Sequence, residues 1–328
     1  MKKKYCGVIA PLVTPVTKSG KIDEDSVKRL IDYVIDANNY PFILGTTGEI
    51  AYNSKSNQEN LVETAVKHVN GRKTLFAGIT SNCIDSTIET AKIFAEFGVD
   101  VFVVHLPYFL PLTHEQMQKY FENIANSSPK PIMIYNITSI THMSIPVEVI
   151  EKLSYHPNIV GLKDSERDWK RHQRMTDLFI DREDFVLFIG WTNKSSESIA
   201  MGFDGIIPNT ANIVPKLFYS LYEAASSGDI KTALMLQEKS EKLSELVQNN
   251  RTMTRTIPQN RSVVRLAKIQ NFFQLRLICL MPVPSLDRYI RRNLSSSIPS
   301  PACTVPTISC MRWVNSNPKV RKSIIFVK

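Results

Sequence analysis

Glycine is scarce, with 12 residues in a chain of 328, and none lies beyond residue 250. There is no run of about 18 apolar residues, so no membrane-spanning helix is expected. The first apolar stretch follows the basic start Met1-Lys2-Lys3-Lys4 but contains Pro11, Pro15 and polar interruptions, so no signal peptide is expected. Cys6, Cys83, Cys279, Cys303 and Cys310 form no CxxC pair. A scattered, odd set excludes a zinc site of that type and a disulfide framework, and predicts reduced thiols in a cytoplasmic protein. No G-x-G-x-x-G follows the first apolar run, and no Gly-Lys-Ser/Thr ends the Gly45–Gly48 loop, which removes two common nucleotide-binding signatures.

What is present divides unevenly. Residues 251–328 hold 14 Lys/Arg and one acid, Asp287, while residues 1–250 hold 26 Lys/Arg against 30 Asp/Glu. The net charge of +9 therefore belongs to the tail, not the body. That tail has seven prolines, few aromatics and no nucleic-acid motif, so a nucleic-acid partner is not expected, and a basic interaction arm is the other reading. A shifted reading frame or disorder would account for its composition; only Leu266–Leu280 reads as helical, and Ser295–Pro306 is a Ser/Pro stretch. Apolar residues make up 43%, enough for a large core. The length suits one barrel of roughly 250 residues with an appendage, or two ordinary domains.

Short apolar runs alternate with amphipathic stretches through the first 230 residues. The runs are Val8–Thr14, Pro41–Leu44, Thr74–Gly78, Val101–His105, Ile132–Tyr135, Ile159–Lys163, Phe185–Gly190 and Gly205–Ile207. Their charge-poor Val/Ile/Phe cores read as strands buried on both faces. Helical patterns follow at Ser26–Ala37, Ser56–Val69, Ser86–Phe97, Thr113–Ala125, Pro146–Leu153, Trp169–Ile180, Ser195–Met201 and Val214–Ala225. Ser56 with Glu59, Ser86 with Glu89 and Thr113 with Gln116 have capping-box spacing. Eight strand–helix units predict a parallel sheet closed into a (β/α)8 TIM barrel, in preference to an open doubly wound sheet. The barrel is expected over residues 1–228. A C-terminal helical region follows over 229–328, beginning with an outer helix at Asp229–Asn249 that carries Ala233, Leu234, Leu236 and Leu243. The pattern fails beyond Arg251.

Barrel chemistry sits where strands end and the following loops begin. Lys163 ends the apolar run Ile159–Leu162, where desolvation favours a neutral, nucleophilic amine. Strand alternation sends Asp164 to the other face. A strand-ending lysine in a salt bridge is the competing reading. Tyr135 ends another strand, where a phenol can shuttle protons or simply fill the rim. Gly45-Thr46-Thr47-Gly48 offers two hydroxyls and backbone N–H groups suited to a carboxylate, or forms a plain tight turn. Glu49 reads as bonding within that loop.

These elements, with Gly45–Glu49, Tyr135-Asn136, Gly161–Ser165 and Gly205–Asn212 in this order, resemble the dihydrodipicolinate synthase and N-acetylneuraminate lyase family over about residues 5–250. The resemblance implies a homo-oligomer, tetramer or dimer, and class I chemistry without metal or organic cofactor. By position it makes Lys163 the Schiff-base lysine, Tyr135 the proton-transfer phenol and Thr46 its polarising partner. It implies that Thr46, Thr47 and Gly48 hold the keto-acid carboxylate, and that Gly190, Ile207 and Tyr108 line the substrate site.

Three departures narrow the substrate. The synthase pattern has an arginine five residues after the tyrosine; here Ile140 occupies that place, which removes a charge-assisted clamp for a second carboxylate. Its Tyr-Tyr pair is Tyr108-Phe109 here. The Asp-Glu pair of the sialic-acid lyases is absent, because Gly190 is followed by Trp191-Thr192-Asn193. The expected function is condensation or cleavage of pyruvate with an aldehyde, on a 2-keto-3-deoxy sugar acid whose hydroxyls Thr138, Ser139, Thr192 and Asn193 would meet. The alternatives are the synthase reaction with aspartate semialdehyde and a family member that only binds or assembles.

Overall fold

Runs rich in Val, Ile and Phe form the strands because branched and aromatic side chains pack well on a pleated, covered surface. In a computed structural model describing residues 3–254, and side chains through residue 244, all eight expected runs are strands. They are β1 (Gly7–Pro11), β2 (Tyr40–Ile43), β3 (Phe76–Gly78), β4 (Val101–His105), β5 (Ile132–Asn136), β6 (Ile159–Asp164), β7 (Val186–Ile189) and β8 (Gly205–Ile206). They pair in sequence order as one closed parallel barrel, with Gly7 of β1 opposite Gly205 of β8. β1 is shorter than its apolar run because Val13 gives its N–H to the Asn212 side chain, 3.0 Å away, and leaves the ladder. Phe42, Phe76, Val103, Met133 and Phe188 fill the interior as a packed core. Each buried ring contributes about 2–3 kcal/mol by leaving water.

Helices cover the outside: α1 (Glu24–Ile35), α2 (Lys55–Val69), α3 (Ile84–Phe97), α4 (His114–Ser127), the single turn α5 (Thr138–Thr141), α6 (Val147–Leu153), α7 (Trp169–Phe179), α8 (Ser195–Met201), α9 (Pro215–Ser226) and α10 (Ile230–Thr254). Of the three expected capping boxes only Thr113 with Gln116 forms. Ser54, in an extended conformation, caps α2 in place of Ser56. α3 begins two residues before Ser86, at Ile84. α1 starts at Glu24 because the Asp23 carboxylate accepts the Ser26 N–H, a cap worth about 1 kcal/mol.

The outer helix runs past Asn249 to Thr254. Ala233 and Leu243 are buried against the barrel's helices, whereas Leu234, expected on that face, is exposed. The chain divides into two units, Met1–Val283 and Pro284–Lys328, and every described residue belongs to the first. Beyond Thr254 the expectations for the basic tail, including Leu266–Leu280 and the frame change, lie outside the described residues. Among the described residues no helix is long and apolar enough to cross a membrane.

Candidate active site

The register of three neighbouring strands assembles the centre of the site. His105 on β4 is opposite Tyr135 on β5, and Tyr135 is opposite Lys163 on β6. Register partners in a parallel sheet share a face, so one row at the barrel mouth carries an imidazole, a phenol and an amine. Lys163 is only 4% exposed. Its Nζ lies 3.9 Å from the centre of the Tyr135 ring and 5.1 Å from that of Phe42. Burial drives the amine's pKa below its ordinary value, while Tyr135 pulls it upward as a charge and hydrogen-bond partner; burial wins. No carboxylate pairs with Lys163 among the described residues, which removes the salt-bridge reading.

Asp164 points the other way, as alternation requires. It is fully buried and accepts from Arg171 Nε at 2.9 Å, Asn136 Nδ2 at 3.1 Å and the Glu166 N–H at 2.8 Å, with His172 Nε2 at 3.4 Å. Burial opposes its charge, but His172 and Arg171 outweigh burial and hold the carboxyl below its usual range. Asn136 extends the network, donating to Glu166 at 2.8 Å and accepting the Ile145 N–H at 3.1 Å. This buried polar cluster anchors the end of β6 from behind, and so fixes the direction in which Lys163 leaves the strand.

The Gly45–Glu49 loop is held from below. Thr14 donates to the Gly48 carbonyl at 2.6 Å, and Asn53 donates to the Glu49 carbonyl at 2.9 Å. The chain turns left-handed at Leu44, φ 55°, and at Glu49, φ 55°. Gly78 is required here: a Cβ on it would sit 2.0 Å from the Leu44 carbonyl oxygen. Gly48 is buried, Thr47 half-buried and Thr46 exposed. Among the described residues no hydrogen bond joins Thr46 to Tyr135, and Thr46 is exposed.

The remaining expected residues come to the same mouth. Gly190 follows β7, and its missing side chain leaves room for Ser165 Oγ, which a Cβ would approach to 2.0 Å. The Gly190 N–H donates to the Asp164 carbonyl at 2.6 Å, and Ile207 N–H to the Ile189 carbonyl at 2.9 Å. Ile207 is buried. Tyr108 stands partly exposed beside His105, ring centres 6.4 Å apart, and Ile140 is exposed on α5. Thr192 and Asn193 lie in a 3-10 turn whose Thr192 carbonyl accepts from Gln237 of α10 at 3.0 Å. A small half-open cavity beside Tyr135 is walled by Phe42, Gly45, Ile50, Thr80 and His105. Among the described residues no three His, Cys, Asp or Glu side chains cluster in a way that would hold a metal ion.

Sequence reasoning missed His105, Arg171 and His172. His105 ends an apolar strand as Lys163 does, and the same strand-end rule would have found it. Nothing local marks Arg171 and His172, which sit in an ordinary amphipathic helix.

The dihydrodipicolinate synthetase family matches residues 4–294, well past Arg251, where the resemblance read from motifs alone ends. A 4-hydroxy-tetrahydrodipicolinate synthase of Thermodesulfovibrio yellowstonii is 31% identical over 274 residues, 83% of this chain and 92% of that protein. The dihydrodipicolinate synthase of Bacteroides thetaiotaomicron superposes with a TM-score of 0.75 at 25% identity, covering 83% of this chain and 91% of that one. A prophage protein of the dihydrodipicolinic acid synthase family from E. coli K12, solved in complex with pyruvate, gives a TM-score of 0.72 at 25% identity over 75% of this chain and 83% of its own.

Proposed function

This chain belongs to the dihydrodipicolinate synthetase family and is a pyruvate-dependent aldolase of the class I lyase type; from that premise we propose that Lys163 forms its Schiff base and that a 2-keto-3-deoxy sugar acid is its substrate. The observation carrying this reading is the buried Lys163 amine over the Tyr135 ring, 3.9 Å from its centre. The neutral amine attacks the C2 carbonyl of the keto acid, and the carbinolamine loses water to become an imine. Tyr135 supplies and recovers the proton that this requires. Tyr135, having given its proton to the departing water, takes the C4 hydroxyl proton as the C3–C4 bond breaks; the electron pair passes into the protonated imine, and an aldehyde leaves. The enamine is protonated at C3, and hydrolysis releases pyruvate and the free lysine. Condensation is the same sequence reversed.

Thr46, Thr47 and Gly48 receive the carboxylate in this scheme, and Gly190, Ile207 and Tyr108 bound the rest of the substrate. Ile140 supports a hydroxylated aldehyde over one that carries a carboxylate, because an isoleucine cannot clamp a carboxylate beyond that of the keto acid. Tyr108, Phe109 and Leu110, at 40%, 80% and 65% exposure, form a contiguous apolar tip that supports assembly with further copies of the chain as a dimer or tetramer. The scattered cysteines support a reducing, cytoplasmic setting.

Borohydride added with pyruvate should leave a stable three-carbon adduct on Lys163, read by peptide mass spectrometry. A folded sample without adduct would reject the mechanism. Pyruvate release across a panel of 2-keto-3-deoxy sugar acids should then identify the substrate, and activity with aspartate semialdehyde alone would reject the sugar-acid assignment.

A further inference from the structure

A histidine at a barrel mouth has two nitrogens, and the bond made by one fixes the chemistry of the other. His105 Nδ1 lies 2.6 Å from the Leu106 carbonyl oxygen. A carbonyl can only accept, so Nδ1 carries the proton. The ring is 8% exposed, and burial disfavours the charged form, although the Leu106 carbonyl favours it. The imidazole is therefore neutral, and Nε2 presents a lone pair. Nε2 bonds to no described residue, yet it is not among the sealed atoms without a partner. His105 walls the cavity beside Tyr135, and the two rings meet edge to face at 6.1 Å. The Tyr135 and Phe42 rings, which flank the Lys163 amine, wall the same cavity.

We propose that His105 is a specificity-determining residue whose Nε2 accepts a hydrogen bond from a hydroxyl of the aldehyde half of the substrate, within the cavity it shares with Tyr135. This inference rests on the Schiff-base reading and refines it. A neutral imidazole fixed as an acceptor rewards a donor such as an alcohol. It gives a carboxylate nothing, since two acceptors repel. A site built to pair a substrate hydroxyl leaves its own polar atom unsatisfied when that hydroxyl is missing, and this is the larger source of discrimination.

The test compares kcat/KM in the condensation direction, with pyruvate and either a hydroxylated aldehyde such as glyceraldehyde or its deoxy counterpart propanal. Wild type should prefer the hydroxylated aldehyde by about 10- to 100-fold. His105→Leu, close in size but without an acceptor, should bring that ratio near one. His105→Gln, which restores an acceptor and also covers the case in which His105→Leu does not fold, should recover part of it. A ratio unchanged in both variants, or absent in wild type, overturns the proposal. Borohydride trapping of wild type with pyruvate is run alongside. No adduct there is a failure of the Schiff-base reading, whereas normal trapping with an unchanged ratio is a failure of the role given to His105.

Discussion

Tyr135 and Lys163 are register partners on adjacent strands, and the lysine Nζ stands 3.9 Å from the centre of the tyrosine ring. The amine lies in a nearly sealed site, where burial disfavours its charge more than the Tyr135 ring favours it. Its folded-state pKa is lowered from the ordinary 10.5. Between the lowered and ordinary values the unfolded chain holds a proton that the folded chain does not, so the amine costs stability there.

Lys163→Met should therefore stabilise the protein at pH 7 by about 1–3 kcal/mol while abolishing the borohydride adduct. The gain, measured by urea unfolding, should shrink as pH rises toward 10.5, where both states are neutral. A destabilised Lys163→Met protein at pH 7 would mean that the amine is solvated or paired.

Tyr135→Phe separates two effects of one hydroxyl. If the phenol moves the protons as proposed, losing it should lower kcat by about 10²- to 10⁴-fold. Tyr135 also raises the Lys163 pKa against the pull of burial, so its removal should move the pH profile of adduct formation to lower pH. An unshifted profile would show that the phenol and amine do not sense each other in solution.

The barrel and the chemical row were legible for the same reason. A strand buried on both faces must be charge-free along its length, so the first polar residue after it marks the mouth; Lys163 and Tyr135 announce themselves that way. Asp164 could be sent outward by alternation alone. Its partners Arg171 and His172 could not be assigned, because they come from a helix whose pairing with β6 depends on tertiary packing. The misplaced caps at Ser56 and Ser86 have a similar origin: Ser54 and Cys83 precede them, and backbone conformation decides which residue caps. Thr46 is exposed on a loop anchored by Thr14 and Asn53, contacts that no motif encodes.

Arg171→Leu tests what the rear network does. Arg171 Nε lies 2.9 Å from Asp164 Oδ2, with side chains 7% and 0% exposed. Removing the guanidinium leaves a buried carboxylate short of its partner, which should cost about 3–5 kcal/mol. Asp164 has a lowered folded pKa, so its contribution is present above the ordinary 3.8 and lost as pH falls through the folded value. The deficit of Arg171→Leu should accordingly be largest near neutral pH, and Asp164→Asn in the same chain should recover part of it. A deficit independent of pH would assign the loss to packing instead.

Gly78→Ala probes the threonine loop without touching it. The added methyl would meet the Leu44 carbonyl oxygen at 2.0 Å, so one backbone must move. Leu44 cannot absorb the shift easily, because it already holds a left-handed conformation and its side chain is buried. The displacement therefore passes to Gly45 and the threonines that follow. Overpacking of this kind should cost about 1–3 kcal/mol of stability. The informative readout is kinetic. If the loop holds the keto-acid carboxylate, KM for pyruvate should rise by about 10-fold, the scale of one weakened charge-assisted bond, while kcat falls less because Tyr135 and Lys163 lie two and three strands away from Gly78. A loss of stability with KM unchanged would remove the loop from carboxylate binding and leave it a structural turn.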